Sequence, residues 1–214
     1  MGNLSLATLV IIIANVLFSM QGFKDYSFFN KYKFGIREVQ RGEYMRMITS
    51  GFLHADWQHL IFNMITLFFF ADVVIAYAGI THFVLVYIFS LVLGSLFALF
   101  FHRNEPYYTA VGASGAVTGI LYASILFNPQ MLIIVFVIPM PAYIFGIGYL
   151  LYSIYGMKSR TDNIGHSAHF GGAVGGLIYA LAYQPSLINR EPLLIVGMLV
   201  PIALLFVFRK KIER

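Results

Sequence analysis

Seven runs of apolar residues set the limits on what this chain can fold into: Leu4–Met20, Trp57–Tyr77, His82–Phe101, Ala113–Phe127, Met131–Leu151, His166–Tyr183 and Leu193–Phe208. A bilayer core is crossed by roughly 20 residues of helix, with a working range of about 17 to 25. Backbone polar groups find no water there, so each run is expected to be helical. With 59% hydrophobic and 11% charged residues, the chain has too few polar side chains to cover a water-soluble globule. The expected fold class is an all-α integral membrane protein, a polytopic helical bundle forming one domain over residues 1–214.

Details of the runs refine that reading. Leu4–Met20 lacks a basic leader and a small-x-small cleavage site, so it reads as a spanning helix rather than a signal peptide. The fourth run is short, and Asn128-Pro129-Gln130 stops it. In the fifth, Pro139, Pro141, Gly146 and Gly148 remove or loosen backbone hydrogen bonds, and the helix is expected to bend or move. Between the first two runs, residues 21–56 mix Lys31, Lys33, Arg37, Arg41 and Arg46 with Phe28, Phe29, Tyr32, Phe34 and Tyr44. That blend suits an interfacial hairpin in the lipid headgroup region. A net charge of +5 placed in loops and at the C-terminal end points to the bilayer surface and to no nucleic-acid partner. The absence of cysteine excludes thiolate chemistry and disulfides.

Polar residues inside a bilayer are costly and mark functional sites by default. Here they gather at the starts of the second, fourth and sixth runs: His54, His59 and Asn63; Ser114; and His166, Ser167 and His169. These three runs share a direction, so their starts lie on one side of the membrane. Four-residue spacing puts His59 and Asn63 on one helix face. Gly115 and Gly119, and Ala168, Gly172 and Gly176, recur at four-residue intervals, a pattern that lets two membrane helices touch along their backbones. Contact of that kind would bring Ser114 to His169.

A serine hydroxyl beside a histidine is a nucleophile with its base. Ser114 opens a helix, where unpaired N–H groups favour negative charge, and His59 and Asn63 add donors for an oxyanion. Asp72 lies too far along its run to orient His169, so the arrangement implies a Ser–His dyad needing no cofactor and no metal.

These residues resemble the rhomboid intramembrane serine proteases. The likeness rests on Arg46 in "GEYMRMITSGFLH", "HLIFN", "GASG" and "AHFGG", in that order from Arg46 to about Gly176. It implies Ser114 as nucleophile, His169 as general base, and an oxyanion hole of His59, Asn63 and the Ser114 N–H. Arg46 and His54 would structure the first loop, with Gly112, Gly115 and Gly172 structural near the site. The implied catalytic core covers about 41–184, with an extra helix over about 193–208. Implied substrates are transmembrane proteins, cut near their non-cytoplasmic ends after entering past the fifth helix.

Three positions depart from the family pattern. Met45-Arg46 stands where many relatives have Trp-Arg. Thr118 stands where several carry an aromatic ring against the catalytic histidine. Leu193–Phe208 adds a seventh helix to a six-helix core. The resemblance opens the active site to the non-cytoplasmic side, of the inner membrane in a bacterium. Charge argues the other way, because six of the 14 Lys and Arg lie in the first loop and Arg209, Lys210, Lys211 and Arg214 follow the seventh run. The water that hydrolysis needs weighs for the family topology.

Two other readings compete. His54, His59, His166 and His169 are good ligands for zinc or copper if they converge, though that leaves Ser114 and its glycines without a purpose. A catalytically silent relative that escorts membrane helices usually lacks the serine or the histidine, and this chain keeps both. His166 is assigned to a solvated rim, and His82 and His102 to the membrane interface.

Overall fold

The computed structural model describes residues 4–135, 137–159 and 164–212. Helix α1, Leu6–Lys24, starts at a Ser5 cap and runs past the apolar stretch, because nothing breaks it before Asp25. Asp25 donates its N–H to the Gln21 carbonyl, and its carboxylate accepts from the Ser27 and Phe28 N–H groups. One residue thus closes α1 and opens α2, Tyr26–Tyr32. The rest of the first loop holds β1 (Phe34–Gly35), α3 (Ile36–Gln40), α4 (Arg46–Thr49) and a 3-10 turn, Ser50–Phe52. The expected hairpin is therefore a chain of short helices.

Helix α5, Trp57–Phe101, is 45 residues long, about 68 Å at 1.5 Å per residue and more than twice a bilayer core of about 30 Å. It breaks at Gly79, whose φ of 86° and ψ of 168° are non-helical and within reach of glycine alone at low cost. The second and third apolar runs are the two arms on either side. They fold back on each other: Tyr77 stacks on Phe127 at 4.6 Å between ring centroids and His82 meets Tyr183 at 4.4 Å, while His102, just past the other end, reaches Ser167.

Strand β2 (Thr109–Ala110) pairs antiparallel with β1 and leads to α6, Ser114–Phe127. The fifth run differs from expectation. Its first part is a hairpin of β3 (Leu132–Val135) and β4 (Ile138–Pro141), and helix α7 begins only at Ala142 and ends at Ser159. Pro139 and Pro141 supply no N–H for a helix interior and disfavour helical geometry in the residues before them. On β4 both are tolerated. Helix α8 (His166–Tyr183), the short α9 (Leu187–Arg190) and α10 (Pro192–Ile212) follow, and α10 covers the seventh apolar run. Arg214 lies outside the described residues. Helices α1 and α5 are long and apolar enough to cross a membrane, with mean hydropathies of 2.0 and 2.5 over their spanning windows.

At the centre, α6 runs parallel to α8, and the second arm of α5 packs against both. From Gly115 to Phe127 every α6 residue is buried. Glycines set the spacing. A methyl group at Gly172 would run into the Gly115 backbone, and one at Gly176 into the Gly119 backbone. One at Gly94 would stand 2.7 Å from the Ala168 carbonyl oxygen. Gly172→Ala is expected to lower stability by about 1–3 kcal/mol through overpacking. Gly148→Ala, where no atom lies within 4 Å of the added carbon, should be neutral. Thermal unfolding of both variants in detergent checks the contrast.

Candidate active site

Backbone contact between α6 and α8 carries side chains with it. Ser114 occupies the first turn of α6 and His169 the first turn of α8, and the His169 Nε2 lies 2.5 Å from the Ser114 Oγ. His169 is 8% exposed, so the pair sits inside the bundle near one end. No side chain caps α6, which leaves the N–H groups of its first turn facing the serine.

The approach to Ser114 is shaped by Gly112, whose φ is +126°. Its N–H donates to the Ser50 carbonyl at 3.0 Å. A side chain there would overlap the His59 ring, with Cε1 at 2.6 Å and Nε2 at 2.8 Å from the added carbon and the Ser114 Oγ at 3.5 Å. Hence the His59 imidazole stands over the same small space as the nucleophile candidate. Asn63, one turn further along α5, donates one amide hydrogen to the His59 carbonyl at 2.9 Å and keeps a second.

His54 lies under this space, fully buried. Ser19 donates its hydroxyl proton to the Phe52 carbonyl at 3.0 Å and therefore accepts the His54 Nδ1–H at 2.9 Å. The His54 Nε2 is left to accept from the Ala113 N–H at 3.4 Å. Through one imidazole, α1, the first loop and the residue before Ser114 are joined. Burial, and secondarily the neighbouring His59, push the His54 pKa down to about 3, against a smaller upward effect of Asp56.

Arg46 acts further out. Its guanidinium pairs with Glu43 at 2.7 Å and donates to the Asn30 and Lys33 carbonyls at 2.7 and 3.0 Å. Met45 beside it is 67% exposed, so the guanidinium and not its neighbour ties this loop.

Some histidines fall elsewhere than expected. His166 is 4% exposed rather than solvated at a rim, because its ring fills the space beside Gly156 and packs edge-on against Tyr152 at 5.0 Å between centroids. His102 is buried too. It donates to Glu105 at 3.1 Å, accepts from Ser167 at 3.1 Å and stacks on Tyr108 at 3.6 Å, clamping the start of α8 to the end of α5. His82 pairs with the Tyr179 hydroxyl at 2.8 Å. Among the described residues no three metal-binding side chains converge, so the four histidines do not form the cluster that a zinc or copper site requires.

One contact had no signal in the sequence. The Tyr149 hydroxyl of α7 lies 2.7 Å from the His169 Nδ1, and the two rings run nearly parallel at 6.0 Å. Nothing in the spacing of a tyrosine on a separate helix reveals that meeting.

Comparison with known proteins places the chain in one family. The family model described as Rhomboid domain matches residues 41–186. The chain is 30% identical over 181 residues to RHOMBOID-like protein 12, mitochondrial, of Arabidopsis thaliana, covering 77% of this chain and 54% of that one. It is 33% identical over 144 residues to the putative rhomboid protease YdcA of Bacillus subtilis, covering 65% and 67%. To rhomboid protease AarA of Providencia stuartii it is 29% identical over 160 residues, covering 66% and 57%. The chain thus spans about half the length of the Arabidopsis relative.

The depressed His54 pKa has a consequence for stability. An unfolded imidazole titrates near 6.5, so below that pH the unfolded chain takes up a proton that the folded chain refuses. The contribution is complete above about pH 6.5 and is lost as pH falls toward 3. The melting temperature in detergent is expected to fall over that window. His54→Gln should lower it at neutral pH and flatten the slope; an unchanged slope contradicts the assignment.

Proposed function

The chain belongs to the rhomboid family, and on that premise we propose that it is an intramembrane serine endopeptidase acting on transmembrane protein substrates. The observation carrying this reading is the 2.5 Å approach of the His169 Nε2 to the Ser114 Oγ at the open end of α6. Family membership makes it an integral membrane protein, and three of its relatives bear the name rhomboid protease, one of them as a putative one.

In the proposed reaction the Ser114 Oγ attacks the scissile carbonyl while His169 takes its proton at Nε2. Charge then collects on the former carbonyl oxygen, where the Ser114 N–H, His59 and the remaining amide hydrogen of Asn63 are the proposed donors. His169 returns the proton to the departing amine. Water next attacks the acyl group with His169 as base again, releasing the carboxylate and restoring Ser114. Arg46, His54, Gly112, Gly115 and Gly172 hold the machinery without touching the reacting atoms. The proposed opening of the site is to the non-cytoplasmic side, the source of that water.

Reconstituted into vesicles with a model transmembrane substrate, the wild type should cleave it. Ser114→Ala and His169→Ala should each lose activity by at least about a thousandfold while keeping the wild-type melting temperature. Appreciable cleavage by Ser114→Ala ends the protease reading. For orientation, a chain without cysteine invites single-cysteine variants at the exposed Lys31 and Arg41. A membrane-impermeant maleimide should label them from outside intact cells; labelling only after permeabilisation reverses the topology.

A further inference from the structure

Two backbone N–H groups stand just before that of Ser114, and both have protein acceptors. The Gly112 N–H donates to the Ser50 carbonyl at 3.0 Å, and the Ala113 N–H to the His54 Nε2 at 3.4 Å. An N–H spent on a protein acceptor is withdrawn from an oxyanion, so the next in the row, that of Ser114 at the open start of α6, is the one offered to a substrate. Its direction follows from the Gly112–Ala113 backbone. That backbone hangs on one carbonyl and one imidazole nitrogen of the turn running from Ser50 to His54.

An imidazole accepts at Nε2 only in the tautomer that carries its proton on Nδ1. In His54 the choice is not left to the ring. Ser19, fully buried on α1, donates its single proton to the Phe52 carbonyl at 3.0 Å, and its oxygen lies 2.9 Å from the His54 Nδ1. With that proton committed, the Ser19 oxygen accepts, and the His54 proton is held on Nδ1. The Ala113 N–H asks for the same tautomer from the other side of the ring. His54 also meets the His59 ring edge-on at 4.9 Å between centroids, so the orientation that Ser19 fixes bears on a second proposed oxyanion donor.

We propose that Ser19 is a positioning residue of the oxyanion site: by holding the Nδ1–H tautomer of His54 it anchors the Ala113 peptide and aims the Ser114 N–H. Helix α1 then contributes to the reaction although it lies outside residues 41–186, which the family model matches. Its packing suits that part. The apolar Leu6, Val10, Ile13 and Leu17 face outward, while the buried positions are Thr8, Asn15, Ser19 and Gly22. Asn15, one turn before Ser19, donates to the Tyr87 hydroxyl at 3.3 Å and so ties α1 to α5 away from His54.

This role for Ser19 rests on the dyad reading, and the test keeps the two apart. In the reconstituted assay Ser19→Ala is expected to lower kcat about tenfold with KM within about twofold. The loss is smaller than the roughly 100- to 1000-fold cost of deleting an oxyanion donor, because the donor is misaimed and not removed. Asn15→Ala, which loosens α1 away from the site, should lower the melting temperature and leave kcat at the wild-type value. Nitrogen NMR of the histidine-labelled protein in detergent at neutral pH, with His54 assigned by its loss in His54→Gln, should find the His54 proton on Nδ1 in the wild type. In Ser19→Ala it should be spread over both nitrogens, and the Ala113 amide resonance should shift. Wild-type kcat in Ser19→Ala, an equal loss of kcat in Asn15→Ala, unchanged His54 and Ala113 signals in Ser19→Ala, or a His54 proton on Nε2 in the wild type overturns the proposal. Should the wild type cleave nothing, the protease reading fails alone, and the His54 and Ala113 signals still decide whether Ser19 holds that peptide.

Discussion

At Gly172 the backbone of α8 lies directly against the Gly115 backbone of α6, and four residues later Gly176 meets Gly119. Lipid offers no hydrophobic drive for helices to associate, so close packing and interhelical hydrogen bonds have to supply it. Glycine permits that packing by removing the side chain that would hold the axes apart. Most of what distinguishes this molecule follows from the contact. It fixes how far the first turn of α6 stands from the first turn of α8, and with it whether a serine hydroxyl and an imidazole can meet. The second arm of α5 joins through its own small residue, Gly94, against the Ala168 carbonyl.

Around that contact, buried polar groups are ordered by a simple constraint: each hydroxyl has one proton to give. Ser19 gives its proton to Phe52 and so must accept from His54. Thr118 gives its own to the Ser114 carbonyl. At His54 a backbone carbonyl thereby fixes an imidazole tautomer. Such networks are costly when half-satisfied and rigid when complete.

The apolar runs and their order are legible in the sequence because a bilayer tolerates few alternatives. Even so, Met131–Leu151 does not behave as one helix. Hydropathy registered Leu132 to Pro141 as apolar, but the two prolines and the β-branched residues beside them favour a hairpin. The second and third runs are the arms of one broken helix, since Gly79 breaks the helix without ending it. At the site, the four-residue glycine pattern and the polar residues at three helix starts were readable. His166, His102 and Tyr149 were not, because their surroundings come from other helices.

What the sequence determined by itself is the class of fold and the identity of the groups that meet: local periodicity and hydropathy place a serine, histidines and glycines at the starts of particular helices, whatever the packing. What only the tertiary structure decided is which partner each of those groups has. His54 and His169 are the same residue type in similarly apolar settings. One is bonded between Ser19 and the Ala113 N–H, and the other between Ser114 and Tyr149. Hydrogen bonds reach about 3 Å, and at that range the neighbours come from helices far apart in the chain.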